Sequence, residues 1–130
     1  MDKNKAKDMM ELLDSISAKN AVTKYDHVQF SMKMCIERSE LMEDEGLTVF
    51  NILPSVSNDR VKLEEFCMLL SEMHVEEVSV SEYCFAVLWK LLDLGATVKE
   101  TYVGNMTYWP SEFMMVRLSL KGISKKDYIN

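Results

Sequence analysis

Apolar positions recur at helical spacing through most of this chain and turn to strict alternation only near its end. Ala6, Met9, Met10, Leu13 and Ile16 or Ser17 share one face of a helix predicted over residues 2–18. Residues 20–26 are polar and read as a turn. Val28, Met32, Cys35, Ile36 and Met42 then define a second helix over residues 27–45, its face widened by Phe30, Met34 and Leu41 and its end set by Gly46. Residues 47–56 fit either a strand or a short buried helix, closed by Pro54. Ser57-Asn58-Asp59 is a turn and cap cluster. The helix after it, over residues 60–73, carries the stripe Leu63, Phe66, Cys67, Leu70 and Met73, with Glu64, Glu65, Ser71 and Glu72 toward water.

A short connector over residues 74–78 leads to Ser79-Val80-Ser81-Glu82, which has the S-x-x-E spacing of a capping box. The helix it predicts runs to Leu94 and stops at Gly95. Two strand-like runs follow, near residues 97–103 and 113–120. In the second, Val116, Leu118 and Leu120 alternate with Arg117, Ser119 and Lys121. The polar tail, residues 124–130, is expected to fray. The sum is a mostly helical α+β domain of about four helices plus a C-terminal β-hairpin. At 130 residues, with no repeat and no Gly/Ser/Pro linker, a single domain is expected over 1–130.

The order helix, turn, helix, connector, helix, Gly, strand, loop, strand resembles the winged helix-turn-helix superfamily. Leu91-Leu92-Asp93-Leu94-Gly95-Ala96-Thr97-Val98 is similar to a third helix entering its wing. Val116-Arg117-Leu118-Ser119-Leu120-Lys121-Gly122 is similar to the strand ending of such domains. The resemblance covers residues 47–122 and leaves residues 1–45 as additional N-terminal helices. It implies a DNA-binding regulator, yet the third helix offers only Glu82, Lys90 and Asp93 as charged groups where groove readers carry basic and polar ones. A helix apolar on nearly all sides is expected to be buried, in the core or by a partner.

Charge sharpens that conflict. The net charge is −6, and residues 31–95 hold five basic against thirteen acidic groups. Phosphate binding needs a basic footprint, and only the hairpin and tail supply one: Lys99, Arg117, Lys121, Lys125 and Lys126, with Tyr102, Tyr108 and Trp109 as stacking groups. The acidic run Glu43-Asp44-Glu45, with Glu37 and Glu40 before it, reads as a solvated helix end or as a docking face for a basic partner. Tyr108-Trp109-Pro110 falls at the hairpin tip, where Trp109 either anchors a partner or folds back over the core. The eleven methionines fill the core or form a deformable docking patch.

Catalytic and metal signatures are missing. The four glycines do not cluster into a phosphate loop, and neither C-x-x-C nor H-x-x-x-H spacing occurs. Cys67 and His74 on one helix would lie two turns apart, too far for a thiolate–imidazole pair. Cys35, Cys67 and Cys84 are odd in number and sit in apolar helical contexts, so three buried reduced thiols are expected. No apolar run is long enough for a membrane span, and the N-terminal segment lacks a signal-peptide pattern, so an intracellular, cytoplasmic location is expected. The expectation is a non-enzymatic regulatory or adaptor protein without cofactor or metal, of a size that viruses and phages encode as modulators. It would bind a protein partner through Tyr102, Tyr108, Trp109, Glu40, Glu43, Asp44 and Glu45. A homodimer through the N-terminal helices is a further expectation, since residues 1–45 need a surface to bury against. The alternative is a winged-helix transcriptional regulator.

Overall fold

The computed structural model describes residues 1–19, 26–42, 45–104 and 112–129. Its elements follow in the order α1 (Lys3–Lys19), α2 (His27–Leu41), β1 (Leu47–Val49), α3 (Pro54–Ser57), α4 (Arg60–Glu72), β2 (Glu77–Ser81), α5 (Phe85–Leu94), β3 (Thr97–Gly104) and β4 (Phe113–Ser119). Single turns of 3-10 helix occupy Glu82–Cys84 and Asp127–Ile129. The protein is α+β.

Local chemistry explains most boundaries. The Asp26 carboxylate accepts the amides of Val28 and Gln29 and opens α2, and Asp59 does the same for Val61 and Lys62 at α4. Pro54 does not close the ambiguous segment; it opens α3, where a missing amide costs nothing. Gly95, at φ 115°, ends α5 as expected. Gly46 does not end α2, which stops at Leu41. Its role is a close approach to β2, where an added Cβ would sit 2.6 Å from the Glu77 carbonyl oxygen. His74 takes the left-handed position (φ 57°) after α4, with its amide on the Ser71 carbonyl and the Val75 amide on that of Leu70.

The largest correction concerns residues 79–84. Ser79 is no helix cap. It lies in the middle of β2, buried, and the helix begins six residues later with no side-chain cap. The alternation Val78-Ser79-Val80-Ser81 is the period-two pattern of a strand, and pairing on both sides outweighs a four-residue cap signal. The sheet order is β1-β2-β4-β3, with β1 parallel to β2 and the other pairs antiparallel. Val78 faces Leu47 and Leu118 across the ladders, and Val80 faces Val49 and Val116. These residues join Met32 and Ile36 of α2, Phe66 and Leu70 of α4, and Val87 and Leu91 of α5 in one core. Phe50, Phe113 and Met115 form a second, small cluster.

Three buried serines serve the backbone around β1. Ser39 Oγ accepts the Thr48 amide at 2.6 Å, Ser31 Oγ accepts that of Leu53 at 3.3 Å, and Ser81 Oγ donates to the Phe50 carbonyl at 2.6 Å. Met1, Ala6 and Leu13 belong to the same core as the sheet, so the N-terminal helices bury against this chain's own interior. That removes the reason given for a homodimer through them. Phe30 and Leu41 do not widen the buried face of α2; both are exposed. The tail is tied down where fraying was expected. Tyr128 is buried, its turn packs on α4, and the Asp127 carboxylate accepts the Ser124 hydroxyl at 2.7 Å and amide at 3.2 Å.

Candidate interaction surface

Helix α5 is built from a segment with apolar residues on every side. Val87 and Leu91 point inward and are fully buried, and Lys90 on one flank reaches Glu64 of α4 at 3.7 Å. Phe85 and Trp89, one turn apart on the outer side, are 58% and 57% exposed, with ring centroids 5.6 Å apart in an edge-to-face pair. The expectation that this helix is enclosed is therefore met on its inner side only. An exposed aromatic pair of this kind is a candidate contact surface.

The surface has neighbours and a charge frame. Glu82 Oε1 accepts the Met114 amide at 3.2 Å, which ties the turn before α5 to the start of β4. Met114 and its cross-strand partner Val103 are both exposed there. Tyr83 turns the other way, its ring 6.1 Å from those of Phe50 and Phe113. Phe85, Trp89 and Asp93, at i, i+4 and i+8, share one face of α5, and Glu82 lies in the 3-10 turn that precedes it. Glu82 and Asp93 thus bracket the aromatic pair. Both are exposed, and neither has an ion-pair partner among the described residues. The last turn of α5 carries no basic residue, so Asp93 adds to the negative end of the helix dipole.

The residues singled out from the sequence do not gather here. Tyr108 and Trp109 lie outside the described residues, as do Glu43 and Asp44. Glu40 is exposed on α2 and Glu45 is exposed just before β1, on the opposite side of the sheet order from β3. Tyr102 is half-buried against the Phe50–Phe113–Met115 cluster, with the Arg117 guanidinium 5.4 Å from its ring centroid, so it is a packed residue of β3. Among the cations, Lys99 meets Glu77 at 2.9 Å, Arg117 meets Glu77 at 3.4 Å and Glu100 at 2.6 Å, and Lys121 meets Glu76 at 3.7 Å. Lys125 and Lys126 are exposed in the tail. The residues overlooked were Phe85 and Trp89. Their i, i+4 spacing, on the side of the wheel away from Val87 and Leu91, was the available signal.

A cleft of about 500 Å³ opens beside Met9, Gly46, His74 and Glu77. Its lysines are already matched: Lys99 and Lys121 to the glutamates above, and Lys5 Nζ to the Glu45 carbonyl at 3.0 Å. His27 Nδ1 is 2.9 Å from Ser55 Oγ. Cys35, Cys67 and Cys84 are buried and unbridged. Burial pushes the Cys67 thiol up to about 12 and the Cys84 thiol up to about 11, and raises Cys35 further, which leaves all three protonated and unreactive near neutrality. Among the described residues no group of three or more His, Cys, Asp or Glu side chains is placed to hold a metal ion, and no helix is long and apolar enough to cross a membrane. Compared with protein-family models, curated proteins and solved structures, the chain shows no match.

Proposed function

We propose that this protein acts by binding another protein, as a regulatory or adaptor module, and that the outer face of α5 makes the contact. The observation that carries this reading is the exposed Phe85–Trp89 pair on a helix whose other side is fully packed. Aromatic side chains dominate binding hot spots because they bury much area at low entropic cost. The three buried, unbridged thiols support work in a reducing, intracellular compartment.

The alternative of a DNA-binding regulator has less support. Lys99, Arg117 and Lys121 would have to leave glutamates before they could neutralise phosphates.

The test places a photo-crosslinking amino acid at position 89 and, as control, at the exposed Glu37 of α2. A discrete protein adduct from position 89 that position 37 does not give supports the reading. Equal labelling from both positions refutes it. Tight, steeply salt-dependent binding to duplex DNA would transfer the assignment to the regulator class.

A further inference from the structure

We infer that the partner of the α5 face is a basic amphipathic segment, one whose apolar residues are flanked at both ends by Lys or Arg. This rests on the protein-binding reading above and specifies its occupant. Three observations carry it. Phe85 and Trp89 offer an apolar ridge at i, i+4, the spacing that a helix with its own apolar stripe fits. Glu82, in the turn just before α5, and Asp93, in its last turn, flank that ridge along the chain, and both are exposed. The one cation on α5, Lys90, is turned to the Glu64 flank.

The same frame argues against a second copy. An antiparallel two-fold contact centred between Phe85 and Trp89 would set Glu82 of one copy beside the Asp93 end of the other, and like charges there repel. Two half-exposed aromatics supply about 100 Å² each, well short of the ~800 Å² per partner of a stable interface. A bound segment that wraps the face and places cations at both ends satisfies what a second copy leaves unmet. A cation over the exposed Trp89 ring adds to the attraction.

The experiment uses the whole chain and three fluorescent 16-residue helical peptides with identical leucine faces. One carries lysines flanking the stripe, one carries glutamates, and one is neutral. Anisotropy is read at two salt concentrations. The inference expects the basic peptide to bind at least tenfold tighter than the acidic one, with the gap narrowing as salt rises. It expects Glu82→Gln with Asp93→Asn to reduce the preference severalfold while circular dichroism stays unchanged. It expects Phe85→Ser with Trp89→Ser to abolish binding. Equal binding of all three peptides through Trp89 overturns the basic occupant and leaves the protein-binding reading standing. No binding of any peptide overturns the inference, and with no adduct specific to position 89 it removes the protein-binding reading as well. A concentration-dependent dimer lost on Trp89→Ser assigns the face to a second copy and overturns the inference.

Discussion

Replacing Ser39 by alanine tests how the edge of the sheet is held. Ser39 is fully buried on α2. Its hydroxyl donates to the Cys35 carbonyl at 2.6 Å and accepts the amide of the fully buried Thr48 at 2.6 Å. The Cys35 carbonyl keeps its helical bond in the variant, but the Thr48 amide loses that acceptor. Losing that hydrogen bond to a buried amide costs about 1–3 kcal/mol. Alanine's better helix propensity returns about 0.5 kcal/mol. The expected loss is thus about 0.5–2.5 kcal/mol. At about 3–5 °C per kcal/mol for a chain of this size, Tm should fall by roughly 2–12 °C. Urea unfolding followed by circular dichroism reads this directly, and the slope should not change. Ser15→Ala on the exposed side of α1 is the control, expected within about 0.5 kcal/mol of the parent. A Ser39→Ala stability indistinguishable from that control would show that the hydroxyl does not hold β1 to α2.

Other outcomes follow from the same packing. Leu91→Ala, on the buried side of α5, should cost about 2–5 kcal/mol, whereas Phe85→Ser with Trp89→Ser should cost much less, and thermal melts of the two should separate accordingly. His74→Gly should stabilise the fold by about 1 kcal/mol, since glycine holds the left-handed position without strain; a lower Tm would mean the imidazole has a role in the cleft. Stability should decline as pH climbs above about 9, because the unfolded chain releases its thiol protons near that value while burial in the folded protein holds Cys67 and Cys84 protonated to about 12 and 11. Cys67→Ala with Cys84→Ala should flatten that decline, and an unchanged alkaline profile would place its origin elsewhere.

Much of the helical layer was legible from periodicity, because α1, α2 and α4 each keep a face at 3.6-residue spacing and two of them open on an aspartate cap. What was not legible depends on neighbours distant in sequence. β1 is three residues long, and its fate was decided by β2 beside it and by hydroxyls from Ser31, Ser39 and Ser81. The capping-box reading of Ser79 failed for the same reason: a local pattern and a pairing pattern compete within Val78-Ser79-Val80-Ser81, and the ladder to Thr48 and Arg117 prevails. The outward side of α5 was missed because an all-apolar helix gives no sign of which side the core will take. The tail looked polar by count, yet one residue, Tyr128, anchors it.

The register of β3 slips between Val98 and Glu100, at Lys99, and this falls on one of the two edge strands of the sheet. An uninterrupted eight-residue border would be a template for copy after copy to stack, ending in fibres. The kink with its salt-bridged charges spoils that template. At high concentration such a border discourages polymerisation from that side of the sheet.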